Sequence, residues 1–275
     1  MSRRTFLAGL FTAFVALTSV AAAQSPRIVS APADQPVSVA LVLAVDVSTS
    51  INDERFRLQR QGYADAFRHP AILDAIRTSE HRRIAVTYFE WSGANHQRVI
   101  VPWTVVSDAA SGERVADQLI RAPRPFDGWT SISAALDFAV NLIDTGPYRE
   151  ARRVIDVSGD GDNNDGRSVL QARDAAVARG IVINGLAIMA DAPTPGSGPL
   201  DEFYRDNVVG GPGAFVLVVD SFDTFAYGIV NKIVREVAGL PVRTRLAGLD
   251  RPFIRIGGPG QRILPTIPNL RASLR

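Results

Sequence analysis

Asp46, Ser48 and Ser50 stand at alternate positions in the stretch DVSTS, directly after an apolar run over residues 37–45. Three side-chain oxygens within one turn of chain exceed what a helix start needs, because a single cap satisfies the first free amides. Asn52 is suited to that cap, and Asp53 and Glu54 suit the positive end of the helix dipole that follows. The Asp-x-Ser-x-Ser set is then left for other work, and an all-oxygen set is what a hard divalent cation takes. Two more segments carry the same chemistry. FDGWTSI presents Thr130 just before a helical periodicity, and VIDVSGDGDNNDG presents Asp160 just after a β-branched run. Gly128 and Gly161 are expected to let the backbone come close at these two places. The candidate ligands are Asp46, Ser48, Ser50, Thr130 and Asp160, and the candidate ion is Mg²⁺, with Mn²⁺ or Ca²⁺ served by the same oxygens.

Five residues so far apart meet only if the elements between them bring their loops to one edge. β-branched runs predict strands over 37–45, 83–90, 98–105, 153–157, 181–188 and 214–219. Helical spacing lies between them, most clearly over 131–144, where Ile132, Leu136, Ala139 and Ile143 form one stripe, and over 222–238, where Phe222, Phe225, Ile229, Ile233 and Val237 do. VALVLAV and IVINGLAI are apolar without a break, as strands buried on both faces require. The expected fold is therefore a doubly wound α/β domain with a mostly parallel sheet. Only WSGANHQ separates the second and third strands, which is too short for a crossover helix, so that pair should be an antiparallel edge. In open α/β sheets ligands sit outside the carboxyl ends of the strands, where all three loops emerge.

The combination of DVSTS, GWT and SGDG resembles the metal-ion-dependent adhesion site of von Willebrand factor type A domains, over roughly residues 38–238. The likeness is to exported bacterial members of unknown function. It implies a Rossmann-like sheet with an antiparallel edge strand. It also implies that Ser48, Ser50 and Thr130 hold the cation through their hydroxyls, with Asp46 and Asp160 bound directly or through water. Neutral hydroxyls leave the ion's charge only partly compensated, so an open position attracts an external carboxylate. In that family the cation bridges to an acidic side chain of a protein ligand, so the expectation is a binding module rather than an enzyme.

Composition bounds the rest. The chain has 275 residues, 46% hydrophobic and 21% charged, which is enough for one substantial core. The net charge of +2 is uneven: residues 239–275 hold seven Arg against one Asp, so the central domain is mildly acidic and does not suit nucleic acid. There is no cysteine and hence neither a disulfide nor a thiolate metal site. Residues 1–23, MSRRTFLAGLFTAFVALTSVAAA, read as an export signal cut after Ala23, and SRRTFL resembles a twin-arginine consensus. The expected location is the periplasm or the exterior. The apolar stretch is short for a membrane anchor, and no later segment is apolar enough to span a bilayer. Residues 24–37 read as a linker, 38–240 as the domain, and 241–275 as a basic flexible tail that would contact an anionic surface or partner, with two apolar islands, FIRI and RILPTI.

Enzymatic constellations are absent from the sequence. No dinucleotide or phosphate-loop glycine motif follows the first strand, Ser48 stands where a haloacid-type phosphotransferase would have its second acid, and His69, His81 and His96 lack paired zinc spacing. The competing readings are a hydrolase in which His96 serves Ser48 or Ser50 as a base, and a structural domain with a vestigial site. Asp162, Asn163 and Asp165 read as a solvated loop in preference to a second cation site. Trp91 and Trp103 are expected to pack, while Trp129 stands between a core role and a place on the rim of the ion site.

Overall fold

In the computed structural model, residues 35–189, 198–239 and 253–256 are described. The expected export signal, most of the expected linker and most of the basic tail lie outside these residues. Seven strands make one sheet: β1 Val39–Asp46, β2 Ile84–Trp91, β3 Gln97–Val106, β4 Arg152–Gly159, β5 Val182–Ile188, β6 Val216–Val219 and β7 Phe253–Ile256. Their order is β3-β2-β1-β4-β5-β6-β7. Every pairing is parallel except β2 with β3, which is antiparallel as the short connection requires.

Helices cover both faces. Tyr63 and Phe67 of α1 (Asp53–Arg68), Ile72 and Ile76 of α2 (Pro70–Thr78), Val115 and Leu119 of α3 (Ala109–Arg121), and Phe225, Ile229 and Ile233 of α7 (Phe225–Ala238) build one core layer. Leu136 and Ala139 of α4 (Ile132–Thr145) and Ala172 and Ala176 of α5 (Val169–Ala178) build the other. A short helix α6, Leu200–Phe203, runs into a π turn, Tyr204–Val208, against the second layer. β1 is buried at all positions because Leu41, Leu43 and Val45 enter the first layer while Val42 and Ala44 enter the second. That two-sided burial is what erases the polar alternation from VALVLAV. The stripes expected on α4 and α7 are the buried faces, and α7 stops at Gly239 in the left-handed conformation (φ 63°).

The basic tail departs from the expectation of a flexible extension at one place. FIRI, the first apolar island, is β7 and pairs in parallel register with all of β6. β6 is fully buried, and its outer edge would otherwise leave a row of amides and carbonyls unpaired. A four-residue strand carries too little periodicity to announce itself among prolines and glycines. RILPTI lies outside the described residues.

The chain leaves β1 for α1 on one face and leaves β4 for α5 on the other, although β1 and β4 are neighbours. This is the switch point of the sheet, where diverging connections open a crevice.

Candidate metal centre

Asp46 ends β1 inside this crevice and is fully buried. Its Oδ1 accepts from the Ser48 amide at 2.7 Å, which folds the loop tightly back on the strand. The turn brings Ser48 Oγ and Ser50 Oγ to 3.2 Å of each other, and Ser50 Oγ donates to Asp160 Oδ1 at 2.6 Å. Asp160 follows directly on β4, so the sequence-distant acid and the Asp-x-Ser-x-Ser loop meet as expected. Thr130 is buried beside Gly161 and shares with Ser50, Thr49, Gly128, Trp129 and Asn164 a cavity of about 390 Å³. All five candidate ligands thus stand at one edge, with Asp46 and Ser48 beneath and Ser50 and Thr130 toward the opening.

Several residues outside the candidate set hold it in shape. Asn52 caps α1, its Oδ1 accepting from the Glu54 and Arg55 amides at 3.0 and 2.9 Å. Arg124, from the α3–α4 loop, donates to the carbonyls of Val47 at 3.0 Å and Ile51 at 2.7 Å, clamping the serine loop from below. Thr49 locks the same loop to the Trp129 loop: its amide donates to the Gly128 carbonyl at 2.9 Å, and its hydroxyl accepts from the Gly128 amide at 3.2 Å. Gly128 has φ 129°, a conformation that side chains rarely adopt, so glycine is needed there for its backbone. Gly161 has no such need: a Cβ on it would meet Thr130 at an ordinary 3.7 Å. The close approach expected there occurs two residues earlier, at Gly159. Nothing in the sequence marked Arg124 or Thr49, since a single Arg or Thr in a polar loop carries no spacing signal.

The DGDNND loop is structural rather than freely solvated. Asn163 Oδ1 accepts from the Ser133 amide at 3.0 Å, Asn164 Oδ1 from the Thr130 amide at 2.8 Å, and Asp165 Oδ2 from the Ala94 amide at 2.7 Å. These bonds staple the β4 loop to the start of α4 and to the β2–β3 loop. They engage Asn163 Oδ1 and Asp165 Oδ2, two of the oxygens that a second cation at Asp162, Asn163 and Asp165 would draw on. Trp129 is 70% exposed, which removes it from the core, whereas Trp91 is fully buried and Trp103 donates its Nε1 proton to the Leu142 carbonyl at 3.2 Å. His96 is exposed and packs its ring against Phe126 at a tilt of 39°, 5.4 Å between ring centres.

The electrostatics favour a cation. Asp46 is pushed up to about 8, first by burial and then by the Asp160 charge, with Ser48 and Arg124 pulling the other way. Its Oδ2 is buried without a hydrogen-bond partner. A buried carboxyl in that state is stabilised as an anion by a nearby positive charge. Among the described residues no three His, Cys, Asp or Glu side chains gather as a ligand group. A cation here would be held by two carboxylates and three hydroxyls, a donor set that fits a hard ion.

The family model described as "Protein of unknown function (DUF1194)" matches residues 36–241. No curated protein sequence matches the chain. Among solved structures, proximal thread matrix protein 1 from the mussel byssus with a zinc-occupied MIDAS motif is similar at 16% identity and a TM-score of 0.53, over 75% of this chain and 47% of that one. The pilus adhesin SpaC from Lactobacillus rhamnosus GG in its open conformation is similar at 16% identity and a TM-score of 0.54, over 74% and 30%. A von Willebrand factor type A protein from Catenulispora acidiphila is similar at 15% identity and a TM-score of 0.53, over 74% and 42%. The match spans less than half the length of each of these proteins. At such identities the likeness is one of fold: the doubly wound α/β sheet with one antiparallel edge strand is that of the von Willebrand factor type A domain.

Proposed function

This chain belongs to the DUF1194 family of proteins of unknown function, and we propose that it is an exported, cation-dependent protein-binding module. A divalent ion, Mg²⁺ or its Mn²⁺ or Ca²⁺ substitutes, would be held by Ser48, Ser50 and Thr130 through their hydroxyls, with Asp46 and Asp160 binding it directly or through water. When bound, the ion supplies a positive charge that accepts one oxygen of an acidic side chain on the partner. The chain's own residues do the rest: Asp46 and Asp160 balance part of the charge, the hydroxyls leave the remainder available, and Arg124 and Thr49 keep the loops from spreading. Trp129 gives the partner's neighbouring side chain an apolar surface beside the ion. Binding, not turnover, is the role of the site.

The observation that carries this reading is the convergence, at the switch point, of the buried Asp46 carboxylate with the Ser48–Ser50–Asp160 chain of oxygens. Adhesin and matrix proteins of the same fold support a binding role. Export is supported by the arginine-led apolar N-terminus, and among the described residues no helix is long and apolar enough to cross a membrane.

Thermal unfolding with Mg²⁺, Mn²⁺ or Ca²⁺ against chelator tests the proposal. An ion that binds only the folded state raises stability by mass action, about 2.7 kcal/mol at one hundred times its Kd. The native chain should respond and Asp46→Ala should not. Equal melting with ion and with chelator in the native chain would overturn the reading.

A further inference from the structure

Tyr204 reaches the candidate metal centre across two strands. It opens the π turn after α6 and is fully buried. Its ring lies over Gly185 of β5, where a Cβ would come within 2.8 Å of Cδ1, and its hydroxyl lies over Gly159 of β4. A Cβ on Gly159 would sit 2.8 Å from Tyr204 Oη and 2.9 Å from Asp46 Oδ2. Side chains at either glycine would close the trough along which the tyrosine passes. The π turn itself is fixed: the Val209 amide donates to the Tyr204 carbonyl at 3.0 Å, and Gly210 and Ile183 exchange two backbone bonds of 2.8 and 3.1 Å that pin the turn to β5. Such turns add one residue to a helical stretch and re-aim the side chain they carry.

The two oxygens at the end of this trough share a second property. Tyr204 Oη and Asp46 Oδ2 are both buried and both lack a hydrogen-bond partner. Each orphan costs free energy that folding normally avoids. Resting against the same point, they are no farther apart than one bridging water spans.

We infer that Tyr204 is a positioning residue of the metal centre, its hydroxyl donating to Asp46 Oδ2, directly or through a single water, so that the carboxylate is held in the orientation in which it faces the ion. Asp46 Oδ1 is already turned by the Ser48 amide. A donor on Oδ2 removes the remaining rotation about the carboxylate. Such support behind a ligand is worth about ten- to a hundredfold in metal affinity. The role as a metal ligand's support rests on the cation-binding reading above; the pairing of the two side chains does not.

Tyr204→Phe removes one oxygen and keeps the ring in its trough. Mg²⁺ affinity, read from titrated thermal shifts, should fall about tenfold relative to the native chain. Separately, in chelator, the effects of Tyr204→Phe and Asp46→Asn on the unfolding equilibrium constant should fail to multiply in the double variant, by a factor of about three or more. Effects that multiply in chelator would overturn the pairing. Unchanged Mg²⁺ affinity in Tyr204→Phe, with the native chain responding to Mg²⁺, would overturn the positioning role. A native chain indifferent to Mg²⁺ but with coupled variants would remove the cation-binding reading and the supporting role, and leave the pairing standing.

Discussion

Thr130 and Asn164 hold each other by both ends: the Thr130 amide donates to Asn164 Oδ1 at 2.8 Å, and the Asn164 amide donates to the Thr130 carbonyl at 2.9 Å. The third hydroxyl of the candidate site is therefore placed by a side chain from the loop that also carries Asp160. Replacing Asn164 by Ala removes the acceptor and should cost about 1 kcal/mol of stability. The loss in Mg²⁺ affinity should exceed what that stability change explains, because Thr130 is released from the edge. Asn164→Asp keeps the acceptor and should retain both. Denaturant unfolding and Mg²⁺-dependent melting of the two variants check this.

Asp46 predicts the pH dependence. Its carboxyl is raised from the ordinary 3.8 to about 8 in the folded, ion-free chain. The folded state thus holds a proton that the unfolded state has lost between those values, so this group's contribution to stability is full at low pH and disappears as pH rises through about 8. Cation binding runs the other way, since the ion needs the carboxylate. Apparent Mg²⁺ affinity should climb with pH up to about 8 and then level. Melting curves in chelator and in Mg²⁺ across pH 5–9 should diverge as pH rises, and Asp46→Asn should remove the divergence.

Lys232 on α7 is fully buried between Asp156 of β4 and Glu236 of its own helix, with Lys232 Nζ 2.9 Å from Glu236 Oε1 and paired with Asp156 Oδ1. Burial and then the Glu236 charge raise Asp156 to about 7, against the pull of Lys232. Lys232→Met leaves two buried acids facing each other and should destabilise the chain by about 3–5 kcal/mol. The loss should deepen above pH 7, where Asp156 would have to ionise without its partner. Replacing Asp156, Lys232 and Glu236 together by apolar residues of similar size should recover most of it. Urea titrations at pH 6 and pH 8 measure both effects.

Trp129 is the converse case. With its side chain 70% exposed, Trp129→Ala should change unfolding free energy by less than about 0.5 kcal/mol and leave the Mg²⁺ response intact. It should weaken capture of the partner from envelope extract in the presence of Mg²⁺. Destabilisation of several kcal/mol instead would return the indole to a packing role.

The local vocabulary of the fold was written in the chain. VALVLAV, the stripes of α4 and α7, the Asn52 cap and the short β2–β3 link each depend on neighbours within a few residues, and each took the form its spacing predicts. Two of the candidate acids were legible for a related reason: strand ends in an α/β sheet share one edge, so Asp46 and Asp160 had to emerge near one another, whereas Thr130, on the α3–α4 loop, is placed there by its bonds to Asn164. β7 was not legible, because its pairing with β6 is decided by an open strand edge elsewhere in the molecule and not by anything in FIRI itself.

What only the tertiary structure decided is which groups support the site. Arg124, Thr49 and Asn164 act through a few bonds to residues 34 to 79 positions away, and Tyr204 comes up against Asp46 from 158 positions away; an isolated polar or aromatic residue has no period by which its spacing announces it. Gly159 illustrates the difference. In the sequence it ends a strand; in the fold it is the gap over which a tyrosine hydroxyl and a buried aspartate oxygen both lie, because packing distances across a sheet edge are set by neighbouring strands and not by neighbouring residues.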